Sequence, residues 1–262
     1  TKEEVLSLEL QAVQEAQSAL PKNQENVPLS LQYYCVGYSI VAERLDHIKI
    51  GSLVGQRGEE AQVEIIATFL PRMVVDSLQI VVEKVGLEIA SITLEPIAVA
   101  NLVLNPAMRR LNLVLVDIGA GTSDIAVCGD NFISAFGMVP MAGDEITEAI
   151  SEQYLLDFNR AEEVKRQLNF APEISTVSIL GREAVYRAEE IRQNLQSSVE
   201  TLASAIAETV LELNNKPPQA LLLVGGGSLT PDLDQKLVQA LNLPEDRVAV
   251  QQANKISRIR NL

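Results

Sequence analysis

Leu111 to Gly129 reads LNLVLVDIGAGTSDIAVCG. Leu111 to Val116 is apolar except for Asn112, which suits a strand buried on both faces. Asp117 ends that run. Gly119, Ala120, Gly121 and Thr122 follow, and a second strand-like run covers Ile125 to Cys128. Two readings fit this hairpin. A Gly-Ala-Gly-Thr turn can aim successive N–H groups at one point and form an anion nest. A carboxylate beside such a nest repels phosphate unless a cation intervenes, and Mg²⁺ with its water shell is the natural mediator. In the other reading Asp117 is simply a turn former.

The rest of the chain limits what this hairpin can serve. Its 262 residues suffice for one large domain or two ordinary ones. Hydrophobic content of 47 % with 21 % charged residues is that of a soluble globular protein. No uninterrupted apolar run reaches 18 residues, so no transmembrane helix is implied, and TKEEVLSLEL lacks a signal-peptide core. A formal net charge of −14 argues against general nucleic-acid affinity, and RIRNL is too short to count as a basic patch. Cys35 and Cys128 stand far apart with no Cys/His cluster, so zinc is not indicated and both read as buried free thiols in a reducing compartment. His47 is the only histidine and reads as packing or surface rather than as part of a catalytic triad.

Apolar spacing predicts a helix from Lys2 to Leu20, with Val5, Leu8, Val13, Ala16 and Leu20 on one face and Pro21 as its stop. Strands are expected in LQYYCVGYSIV, HIKIGSLVG, AQVEIIATF and LEIASITL. PRMVVDSLQIVVEKVG reads as a helix with a stripe of Val74, Val75, Leu78, Val81, Val82 and Val85. EPIAVANLVL suggests a helix starting at Pro96 with Glu95 beside it. Further helices open at AGDEI and cover RAEEVKRQL, where Glu162 and Lys165 share a face as an ion pair. A long helix spans Arg187 to Leu213. ALLLVGGGSLTPDLDQKL then reads strand, glycine loop, helix: Gly225, Gly226 and Gly227 permit close approach of a ligand, or merely a tight turn. Strands alternating with helices indicate an α/β architecture.

The order of these pieces is more specific than any one of them. Glu-Pro helix start, Asp-x-Gly-x-Gly-Thr-x-Asp hairpin, AGDEI helix, Glu-x-x-Lys helix and Gly-Gly-Gly-Ser turn together resemble the actin-like ATPase superfamily, which has a ribonuclease H-like fold. The first ninety residues and GREAVYRAEEI resemble its FtsA/PilM branch. That resemblance implies two lobes of related α/β topology with nucleotide between them. It divides the chain into 1–28 (helix and linker of the first lobe), 29–94 (an inserted small α+β subdomain), 95–110 (connecting helix) and 111–262 (second lobe, with a small subdomain at about 151–185). It also implies ATP and Mg²⁺ as cofactors. Asp117 would hold the metal through water with Asp124 assisting, and Glu95 would orient the attacking water. Gly119 to Thr122 would meet the β- and γ-phosphates, Ala120 standing where the family has a glycine. Glu162 and Lys165 would contact ribose, Arg166 would stack near adenine, and Gly225 to Ser228 would follow adenosine and the α-phosphate. The family's first phosphate loop, another Asp-x-Gly hairpin, has no counterpart before Asp117. An incomplete first lobe is therefore expected, and with it a chain that is inactive or, when complete, at most a slow ATPase. VAVQQANKISRIRNL shows none of the amphipathic membrane helix expected of FtsA. The implied role is a cytoplasmic cell-division actin homologue that links a filament to the inner face of the membrane, with self-polymerisation. A pilus-assembly scaffold of the PilM type and a chaperone or reactivating ATPase are the alternatives. Neither a nucleic-acid partner nor a membrane segment is expected.

Overall fold

The computed structural model describes residues 1–20, 33–129 and 132–251. Pro21, the 28/29 boundary and the RIRNL ending lie outside them. The chain divides into two compact units, Thr1–Arg110 with Gly129–Ser134, and Leu111–Cys128 with Ala135–Leu262.

In the first unit, α1 (Lys2–Ser18) starts with a capping box in which Thr1 and Glu4 satisfy each other. The five residues expected on its inner face are all half-buried. β1 (Tyr33–Leu45), β2 (Ile48–Ile50) and β3 (Ala61–Pro71) form an antiparallel sheet in the order β2-β1-β3. Asp46 and His47, both at positive φ, make the two-residue turn between β1 and β2. His47 is exposed there, 3.5 Å from Glu60. α2 (Arg72–Lys84) follows Pro71, and α3 (Glu95–Val103) begins at Glu95, one residue before Pro96.

Three expectations fail in this unit. LEIASITL forms no strand: residues 87–94 pair with nothing in a ladder and are largely exposed. An apolar alternation makes a strand only where another strand offers its hydrogen bonds. Cys35 is exposed, whereas Cys128 is buried. The stripe on α2 faces outward except at Val75, which is buried, and Val82, which is half-buried. Met73 is 80 % and Val81 62 % exposed.

The second unit is built on a mixed sheet of order β10-β9-β4-β5-β6. β4 (Leu113–Ile118) and β5 (Ser123–Gly129) form the hairpin foreseen above, and β6 (Phe132–Val139) is an edge strand. α4 (Gly143–Tyr154) and α5 (Phe158–Gln167) come next, then a two-stranded ribbon of β7 (Glu173–Val177) and β8 (Glu183–Arg187). The long α6 (Ala188–Asn214) leads to β9 (Ala220–Val224), α7 (Leu233–Leu241) and β10 (Val248–Val250). β9 lies parallel to both β4 and β10.

Alternation along β4 and β5 separates two faces. Val114, Val116, Ile118, Ile125 and Val127 join the helices in one core with Leu221 and Leu223 of β9. Asp117 has the parity of Leu113 and Leu115, and Asp124 that of Ala126 and Cys128, so both acids belong to the opposite face. α6 contributes nine buried residues, from Ala188 to Val210. Each Leu, Ile or Val among them is worth about 1.5–3 kcal/mol in removal from water. Asn112, the polar exception in the apolar run, forms a reciprocal amide pair with Asn214 at 2.7 and 3.0 Å. Its backbone N–H donates to Gln219 Oε1 at 3.0 Å, and its carbonyl accepts from the Gln219 N–H at 2.8 Å. The foot of β4 is thereby tied to the end of α6 and the approach to β9.

Candidate functional site

The β4–β5 hairpin tip is closed by the Gly119 N–H donating to the Thr122 carbonyl at 2.9 Å. That donor is spent inside the turn. Ala120, Gly121 and Thr122 are exposed at the tip. The carbonyls of Gly119 and Ala120 accept from the first N–H groups of α4, those of Gly143 (3.1 Å) and Asp144 (2.8 Å). Those helix-start donors have no partner within a helix, so hairpin and helix complete each other. Ser123 Oγ donates to the Met141 carbonyl on the same path, and Glu145 caps the Ala142 N–H.

Asp117 and Asp124 stand directly opposite each other in the hairpin register, side chains on one face, both half-buried. Like charges placed so close repel. The described residues contain no group of three or more His, Cys, Asp or Glu able to cage a metal.

The glycine turn packs under the same hairpin. Gly225 has φ +82°, and a Cβ there would come within 2.3 Å of the Ile118 carbonyl oxygen and 2.4 Å of Asp117 Oδ1. Only glycine fits. The loop does not run straight into a long helix: Gly226–Leu229 form a single 3-10 turn, and α7 starts at Leu233. Ser228 is buried and donates through Oγ to the Gly225 carbonyl at 2.6 Å.

On α5, Glu162 and Lys165 are 2.6 Å apart, and Arg166 Nε reaches the other Glu162 oxygen at 2.9 Å. Thr147 of α4 donates to Glu162 at 2.7 Å. Burial pushes the Glu162 carboxyl up, but hydrogen bonds from Lys165, Thr147 and Arg166 outweigh it and hold the group below the ordinary glutamate range. It is a carboxylate at neutral pH.

These parts enclose one cavity of about 530 Å³. Of the residues singled out in the sequence, Gly119, Ala120, Glu162, Lys165, Arg166, Gly226 and Gly227 line it. Gly121, Thr122, Asp117, Asp124, Gly225 and Ser228 lie in the hairpin and the turn without lining the cavity. Glu95 belongs to the other unit, in the first turn of α3. Sequence reasoning missed Asp144, Asn169 and Phe170. Asn169 Nδ2 donates to the Leu229 carbonyl at 2.7 Å and fastens the end of α5 to the glycine turn. Phe170 is 85 % exposed at the rim.

The fold and this cavity define an actin-like ATPase fold. Solved structures of that shape include a PilM–PilN type IV pilus biogenesis complex (TM-score 0.64, 18 % identity, covering 97 % of this chain and 67 % of that one). MreB5 of Spiroplasma citri bound to AMPPNP is another (TM-score 0.50, 24 % identity, covering 69 % and 60 %). The sequence profile of cell division protein FtsA matches residues 114–261, more than half of the chain, which therefore belongs to the FtsA family. Cell division protein FtsA of Bacillus subtilis (strain 168) is 28 % identical over 57 % of this chain and 36 % of its own length. Cell shape-determining protein MreB of Escherichia coli (strain K12) is 27 % identical over 57 % and 50 %. The chain thus spans between a third and a half of these two relatives. Among the described residues no helix is long and apolar enough to cross a membrane.

Proposed function

We propose that this chain carries the second nucleotide-binding lobe of an FtsA-like actin homologue, a cytoplasmic cell-division protein that binds ATP with Mg²⁺ and links a cytoskeletal filament to the inner face of the membrane. One observation supports it above the others: hairpin, α4, α5 and glycine turn converge on a single cavity. Within this reading Asp117 and Asp124 hold the hydrated metal, which supplies charge neutralisation to the phosphates. The backbone from Gly119 to Thr122 meets the β- and γ-phosphates, with Ala120 to Thr122 supplying the exposed donors. Gly225 to Ser228 follow adenosine and the α-phosphate. Glu162 and Lys165 contact ribose, and Arg166 stacks at the base. Glu95 orients water. Hydrolysis of this kind rests on positioning and electrostatics, so slow turnover and a nucleotide-dependent switch between binding partners or filament states are expected.

Calorimetric titration of the full-length protein with Mg·ATP tests this. Micromolar to submillimolar binding that Asp117→Asn abolishes is expected. No binding at millimolar nucleotide overturns it. The pilus-scaffold alternative draws on the PilM likeness, which extends over nearly the whole chain. Deletion in the source cell separates the two: failed septation supports the division role, and lost pili with normal septa support the scaffold.

A further inference from the structure

Lys165 carries the charge expected of a sugar-binding cation, yet its ammonium is already engaged. It donates to the Gly143 carbonyl at 2.8 Å and to Thr147 Oγ1 at 2.7 Å, and lies 2.6 Å from Glu162 Oε2. An ammonium has three protons, and three acceptors surround this one. Thr147 is fully buried on α4. Its hydroxyl accepts from Lys165, and its single proton serves Glu162 Oε2 at 2.7 Å or the Gly143 carbonyl at 3.1 Å.

This knot joins α5 to the first two turns of α4, and Gly143 passes the connection on. Its N–H and that of Asp144 hold the Gly119 and Ala120 carbonyls at the hairpin tip. A continuous run of hydrogen bonds therefore follows the cavity wall from Arg166 and Glu162 to the hairpin. The fit is close: a Cβ on Gly143 would lie 3.1 Å from the Gly119 oxygen and 3.2 Å from Lys165 Nζ.

We infer that Thr147 is a positioning residue. Through its bonds to Lys165 and Glu162 it holds the start of α4 against the hairpin tip and so fixes where the Ala120–Thr122 backbone points, without itself lining the cavity. The inference rests on the nucleotide reading above. Losing the Thr147 hydroxyl leaves half-buried Lys165 and Glu162 each one partner short, and the slack appears at the hairpin.

The test uses the full-length protein with Thr147→Val, which keeps the shape, and Thr147→Ser, which keeps the hydroxyl. Without ligand, amide hydrogen exchange should quicken at residues 119–122 in Thr147→Val, stay unchanged in β9 and α6, and return to the parent rate in Thr147→Ser. Mg·ATP affinity should fall about tenfold in the valine variant and recover in the serine one, the size expected when buried polar groups lose a partner. Lys165→Met, which keeps the apolar stem, should repeat the ligand-free exchange pattern of the valine variant if Thr147→Val fails to fold. Unchanged exchange at the hairpin overturns the inference, and so does faster exchange with undiminished affinity. A parent protein that does not bind Mg·ATP fails the nucleotide reading itself, a distinct result that removes the basis of this one.

Discussion

Helices α2 and α6 carry the same kind of apolar stripe and meet different fates. α6 places nine residues in a core shared with α4, α7 and the five-stranded sheet. α2 buries Val75 alone, and Met73, Val74, Ser77, Leu78 and Val81 line an open groove of about 380 Å³. Periodicity dictates that a helix forms and which side is apolar. It does not dictate what covers that side.

The sharpest way to break this contrast is to truncate both stripes. Leu202→Ala or Ile206→Ala, at fully buried positions, should cost about 2–5 kcal/mol in urea unfolding. Leu78→Ala, at an exposed one, should change stability by no more than about 0.5 kcal/mol. Equal losses would mean that α2 is covered in solution. Next in size, Gly225→Ala combines a left-handed backbone with collision against Ile118 and Asp117 and should cost about 1–3 kcal/mol, with a changed amide environment at Gly119 by NMR.

The pH responses of the two units should also differ in direction. Glu162 is depressed in the folded state, so its contribution is whole above the unfolded glutamate value of about 4.3 and is lost as pH falls through its lower folded value. Urea midpoints of parent and Glu162→Gln should therefore differ at pH 7 and converge in acid; a constant gap would show that the carboxylate's charge is irrelevant. In the first unit Tyr38 donates to Glu9 at 2.6 Å. That bond, with burial behind it, pushes the phenol up to about 12. Its contribution is whole below the ordinary tyrosine value of about 10 and is lost as pH rises toward the folded one. The smallest effect expected is that Glu9→Gln moves one phenolate absorbance step down toward that value.

Much of the second unit was legible because its signals are local and mutually consistent. Six apolar-run residues ending on Asp117, the glycines after it and the stripe from Ala188 to Val210 each specify their own geometry. LEIASITL failed because a strand also needs a neighbour, which alternation does not reveal. Site residues were legible where the backbone must be unusual, as at Gly225, or where charges sit one helical turn apart, as at Glu162 and Lys165. Thr147, Asn169 and Phe170 were not. They acquire their roles where α4, α5 and the glycine turn meet, and nothing in their own sequence neighbourhood records that meeting.

Asn112 stood out at the start as a lone polar residue in an apolar run. It is bonded to Asn214 and Gln219 at one end of β4, and Asp117 lies at the other, five residues or roughly 17 Å away. A slip of one residue against β9 would turn Asp117 from its own face into the helix core. The amide pair thus acts as the zero mark of a ruler: it makes the height and facing of a distant carboxylate a matter of counting peptide units. Asn112→Leu would raise the hydrophobicity of the strand and erase the mark, leaving the register to the burial pattern and the hairpin alone.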